Sequence, residues 1–179
     1  MLKTILRRFR RAGTSSDAAR RLYDALVSRS RAPVFHRQFA VPDTIDGRFD
    51  LLAAHAFLVL KALPPSGPGG RELAAELVDL IFAGFDDALR ELGVSDFGIA
   101  RRMKAMASAF YGRLEAYREA SARGELEEAL LRNLYRGKAP AGREAAKLAD
   151  YMVAAERHLH ASTQDLLSGD ANFGPLPQP

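Results

Sequence analysis

The chain has 179 residues, 47% of them hydrophobic and 27% charged, with no cysteine and no tryptophan. That balance suits one globular domain burying roughly 70% of its unfolded surface, and the missing thiols exclude disulfides, thiolate metal sites and cysteine nucleophiles. The net charge of +4 is unevenly spread: residues 1–37 hold ten Lys/Arg and two Asp, whereas the remainder holds 16 basic and 20 acidic residues. A basic end on a mildly acidic body points to an anionic partner.

The first eleven residues, MLKTILRRFRR, place Leu2, Ile5, Leu6 and Phe9 on one helical face. Lys3, Arg7, Arg8, Arg10 and Arg11 occupy the rest, the pattern of an interfacial basic helix that binds anionic lipid or an anionic partner. A solvated basic arm is the competing reading. No apolar core follows these charges, so the segment does not read as a secretion signal.

Residues from Ser15 or Ser16 to just before Pro33 form a helix pattern with Ala19, Leu22, Tyr23, Leu26 and Val27 inward. A connector spans residues 35–41, and Pro42 sets a turn. Asp43 or Thr44 then caps a helix reaching Leu63. Its apolar stretch, residues 51–63, contains His55 and Lys61 and is too short to span a bilayer. PPSGPGG (64–70) reads as a loop.

The next helix, 71–92, has its apolar stripe at Leu73, Leu77, Leu80, Ile81, Phe85, Ala88, Leu89 and Leu92. Glu72, Glu76, Asp79 and Asp86 form the opposite, solvent-facing stripe, and Gly93 ends the helix. A long helix from Ser95 or Asp96 to Ala122 follows, with Ile99, Met103, Met106, Phe110, Leu114 and Tyr117 inward. ELEEALLRNLYRG and residues 143–167 supply two more helices.

No period-two strand and no internal repeat is found. The chain reads as all-α: a basic segment (1–13), a bundle-like domain of about six helices (14–168) and an irregular tail (169–179).

Chemistry-bearing motifs are scarce. His36, Asp46, Asp50 and His55 do not project onto one face and carry no metal-ligand spacing. His158 and His160 stand two apart on a helix and diverge. No serine lies in a G-x-S-x-G elbow, and SGPGGRE lacks the Lys-Ser/Thr of a P-loop. No cofactor is expected. Arg101, Arg102 and Lys104 form a basic cluster able to meet RNA phosphate or anionic lipid, so a helical ribosome- or RNA-binding module is the alternative function. No nucleic-acid fold signature is present, and DNA is not an expected partner.

Four blocks occur in order: Val41-Pro42-Asp43-Thr44, Asp46-Gly47-Arg48-Phe49, Leu92-Gly93-Val94 and Ala109-Phe110-Tyr111-Gly112-Arg113. Together they resemble the ubiquinol-cytochrome c chaperone family of cytochrome bc1 assembly factors, over about residues 35–123. The resemblance implies a helical, non-catalytic protein without cofactor that binds newly made cytochrome b or another bc1 subunit. It also implies peripheral association with the inner membrane and, from eukaryotic members, contact with the ribosome. The Ala/Arg-rich composition and absence of an organelle-targeting extension lead us to expect a bacterial-type, cytoplasmic member.

On this footing Pro42, Asp43, Thr44, Gly47, Phe49, Gly93, Phe110 and Gly112 are expected to be mainly structural. Arg101, Arg102, Met103, Lys104, Tyr111 and Arg113 are the candidate client- or partner-binding residues.

Overall fold

A computed structural model describes residues 16–63, 66–138 and 140–177. Among these residues every regular element is helical, in agreement with the all-α expectation. The helices are α1 (Asp17–Ser30), α2 (Val34–Gln38), α3 (Ile45–Ala62), α4 (Pro68–Glu91), α5 (Asp96–Arg123), α6 (Leu126–Asn133), α7 (Glu144–Ala161) and α8 (Thr163–Leu167). Six have eight residues or more and two have five. The basic stretch containing Lys3, Arg7, Arg8, Arg10 and Arg11 lies outside the described residues.

Local chemistry sets the boundaries. Ser16 caps α1 by accepting from the Ala19 amide at 3.2 Å, and Thr44 caps α3 by accepting from the Gly47 amide at 3.0 Å. Asp43 instead accepts from Arg48 Nε at 2.7 Å. Residues 35–41, expected as a plain connector, contain α2: Pro33 already has helical φ and ψ, and burial of Phe35 and Phe39 holds the single turn in place. Helix α4 starts at Pro68 rather than 71, because proline fits the first helical position, where no amide donor is needed. The last helix expected from the sequence breaks at Ser162 into α7 and α8.

Helix α3 is the hub, packed against α1, α5 and α7. Eleven of its residues are buried around nearly its whole circumference, as an apolar helix at the centre of a bundle must be. Gly47 permits the tight entry into α3, since a Cβ there would lie 2.0 Å from the Pro42 carbonyl oxygen.

The inner stripe of α5 is as expected at Ile99, Met103, Phe110 and Tyr117, while Met106 and Leu114 are only partly covered. On α4 three residues depart from expectation, among them Ala88 of the apolar stripe, which is exposed. Asp79, placed on the solvent stripe, is buried, and Leu92, placed in the core, is 57% exposed because it sits at the helix C-cap. The 169–177 segment is irregular yet packed: Phe173 is buried with its ring edge-on to His55 at 5.7 Å.

Candidate functional site

The sequence blocks from α3 and α5 meet in space. Asp50, fully buried one turn into α3, lies 2.6 Å from Arg113 Nη2 on α5 and accepts from Arg136 Nε at 2.9 Å. Arg136 also donates to Asp46 at 2.8 Å, tying the turn after α6 to the start of α3. Burial pushes the Asp50 carboxyl up, against the pull of the Arg136 and Arg113 guanidiniums.

Arg136 has φ +53°, a left-handed conformation that costs a non-glycine residue about 1 kcal/mol. Its bonds to two carboxylates offset that strain. Tyr135 beside it donates to the Phe39 carbonyl at 2.7 Å.

Aromatic rings continue the seam. Arg113 sits 5.1 Å above the Phe49 ring and also donates to the Ala109 carbonyl. Phe49 meets Phe85 at 5.2 Å, and Phe82 bridges Phe85, Phe110 and Tyr111 at 5.8, 5.6 and 5.9 Å. Two of the candidate client-binding residues point inward here. The Arg113 charge faces inward to Asp50, and Met103 is buried in the core.

The histidines have structural partners. His55 Nδ1 donates to the Leu51 carbonyl at 2.9 Å, so Nε2 accepts from the Tyr151 hydroxyl at 3.0 Å. Burial chiefly, with Arg29 nearby, lowers its pKa from 6.5 to about 4 against the opposing Leu51 bond, and the ring is neutral. His36 Nδ1 donates to the Val41 carbonyl at 3.0 Å. Among the described residues, no three His, Asp or Glu side chains are grouped to hold a metal ion.

The remaining candidates lie outward on α5. Tyr111 is 41% exposed and borders an open groove of about 620 Å³ floored by Phe57, Leu60 and Leu114. Two ion pairs frame it: Lys61 with Glu156 at 2.7 Å, and Arg118 with Glu115. Gly112 is exposed within the helix, and a Cβ there would meet nothing within 4 Å, so the fold itself does not demand glycine. Arg101, Arg102 and Lys104 are exposed nearer the start of α5 and form no ion pair among the described residues.

The family model of the ubiquinol-cytochrome C chaperones matches residues 37–173. The chain belongs to this family. The match runs past the sequence blocks, through α6 and α7 to the packed Phe173. The crystal structure of the Cbp3 homolog from Brucella abortus is similar at 35% identity and a TM-score of 0.79, covering 98% of this chain and 97% of that one.

Ubiquinol-cytochrome c reductase complex assembly factor 1 from Mus musculus and from Homo sapiens are each 23% identical over 163 residues, or 89% of this chain. The chain spans just over half the length of these two relatives, 55% and 54%. The Asp50–Arg113–Arg136 cluster ties α3, α5 and the turn after α6 together, and the groove beside Tyr111 stays open at the surface of α3 and α5.

Proposed function

We propose that this chain is a non-catalytic assembly chaperone for the ubiquinol-cytochrome c reductase complex, acting on the cytoplasmic side of the inner membrane. Its client is newly made cytochrome b, whose transmembrane helices lack their final packing partners. The observation that carries the reading is family membership together with the apolar groove beside Tyr111.

The groove suits an apolar helix. Phe57, Leu60 and Leu114 offer apolar contact, and Tyr111 presents an amphipathic ring of the kind favoured at interfaces. The charges at its rim are already paired, so docking desolvates no lone ion. Gly112, next to the groove residue Tyr111 though not itself in the lining, leaves the α5 backbone open to close approach at that position, as small residues do where apolar helices pack. A shallow open groove binds reversibly, which a chaperone needs in order to release its client.

Among the described residues no helix is long and apolar enough to cross a membrane. We assign attachment to the surface from the family resemblance and the charge of the first eleven residues, with the basic arm Lys3–Arg11 contributing salt-sensitive contact to anionic lipid. The exposed Arg101, Arg102 and Lys104 favour a second reading, ribosome contact.

The test is replacement of Gly112 by Leu and Tyr111 by Asp in the full chain in its native host. The expected result is a folded protein that no longer captures cytochrome b and a fall in assembled bc1 complex. Undiminished capture and assembly would remove the groove from the account, and ribosome co-sedimentation persisting at moderate salt would favour the second reading.

A further inference from the structure

A second surface, on the other side of the Asp50 cluster, combines apolar and cationic chemistry. Val27 of α1, Ile45, Phe49 and Leu52 of α3, and Phe85 and Leu92 at the end of α4 line an apolar groove of about 460 Å³. Ile45 and Leu92 are its most protruding members, 67% and 57% exposed, more than any other large hydrophobic residue described. Leaving two aliphatic side chains in water beside an apolar groove is costly for a monomer and marks an interaction surface.

Arg31 and Arg48 line this groove and also an adjoining pocket of about 530 Å³, where His36 and Arg37 join them. Asp43 lines the pocket and Glu91 the groove. Burial pushes the hydroxyl pKa of the groove-lining Tyr23 up, and Asp87 and Asp24 lie close enough to push it the same way. Arg48 binds Asp43 at 2.7 Å, while Arg31 and Arg37 form no ion pair among the described residues. The unpaired Arg31 thus lines one groove with two protruding aliphatics, and the unpaired Arg37 lines the pocket adjoining it.

We infer that this corner of α1, α2, α3 and the end of α4 is a membrane-docking face for anionic phospholipid. Arg31 and Arg37 meet the phosphate, and Ile45 and Leu92 enter the acyl boundary. Arginine presents forked donors that match phosphate oxygens, and Arg31 itself lines the groove.

Charge selects lipid over the client as the occupant. Cytoplasmic loops of membrane proteins are enriched in Lys and Arg, so an apolar client flanked by them is repelled from Arg31 and Arg37. The cytoplasmic leaflet is negative and attracts the same residues. The choice of occupant rests on the proposed position at the cytoplasmic leaflet. The ligand is shared with the basic arm but the residues are not, and the vesicle experiment involves no client, so its failure is distinguishable from failure of the chaperone reading.

The absence of tryptophan makes the test direct. Full-length Ile45→Trp and Leu92→Trp variants each carry a single fluorophore, and Val153→Trp places one at an exposed α7 position outside the groove. Each is titrated with phosphatidylcholine vesicles containing one-third phosphatidylglycerol, with bromine-labelled acyl chains as quencher. Quenching at positions 45 and 92 but not 153 is expected.

Arg31→Gln/Arg37→Gln should weaken vesicle binding roughly thirtyfold, as expected for removing two cations close to an anionic surface. A variant with Lys3, Arg7, Arg8, Arg10 and Arg11 all replaced by Gln should still quench at 45 and 92. Each variant's thermal melt is compared with wild type to establish folding. Equal quenching at all three positions, or full affinity in the folded Arg31→Gln/Arg37→Gln protein, overturns the inference. So does saturation by soluble glycerophosphate that leaves vesicle binding unchanged, because it would mark a small-anion site rather than a membrane face.

Discussion

His55 gives the fold a measurable acid sensitivity. Its ring is buried against Phe35, Tyr151 and Phe173, with both nitrogens committed, and its pKa falls from 6.5 to about 4. Below pH 6.5 the unfolded chain takes up a proton that the folded chain refuses. Stability contributed by the neutral ring is therefore present above pH 6.5 and is lost as pH falls towards 4. At pH 4.5 linkage gives a loss of about 2.5 kcal/mol.

The perturbation is His55→Gln, which retains a donor and an acceptor but does not titrate. Urea denaturation of both proteins at pH 7 and pH 4.5 isolates the residue, because acid titration of the carboxylates is common to the two. The wild type should lose about 2.5 kcal/mol more than the variant between these pH values. Parallel losses would mean that His55 is accessible to protons in the folded state and that the buried Leu51–His55–Tyr151 chain is wrong.

Asp50→Ala strands Arg113, only 14% exposed at its side chain, and should cost about 3–5 kcal/mol by urea denaturation. Asp50→Ala/Arg113→Met should recover a substantial part of that loss, because the uncompensated charge is gone. Gly47→Ala pushes a methyl group against the Pro42 carbonyl and should destabilise by about 1–3 kcal/mol, read as a lowered melting temperature. Gly112→Leu should leave the melting temperature unchanged or higher, since glycine is a poor helix former and nothing opposes the new side chain, while abolishing client capture.

The long helices were legible because their causes are local. Ser16 and Thr44 cap where the sequence allows, Gly124 ends α5 in the left-handed conformation, and the α5 stripe from Ile99 to Tyr117 keeps helical spacing. The Pro/Gly-rich 64–70 stretch, by contrast, conceals the start of α4 at Pro68. Helix α2 was hidden because five residues carry no readable period, and its burial depends on Phe35 reaching His55 and Tyr151. The ion cluster was hidden for a similar reason: Asp50 finds Arg136 86 residues away.

Asp50 borders the apolar run of α3, and a carboxylate near the positive end of a helix needs no distant partner to account for it. Arg113 was singled out for binding from its sequence block alone, which cannot distinguish a charge facing a client from one facing a buried aspartate. The grooves had no sequence signature at all. Leu114 follows the core stripe of α5 and Leu60 lies within the apolar run of α3, and only the packed structure leaves them beside Tyr111 at an open surface.

The central claim is tested most directly by placing a photo-crosslinking residue at position 111 of the full chain in native-host membranes and identifying the crosslinked partner by mass spectrometry. The account predicts cytochrome b as the dominant adduct, through a transmembrane-segment peptide, and its loss in the Gly112→Leu background. Adducts confined to ribosomal proteins, or the absence of every bc1 subunit from a well-crosslinked sample, would contradict it.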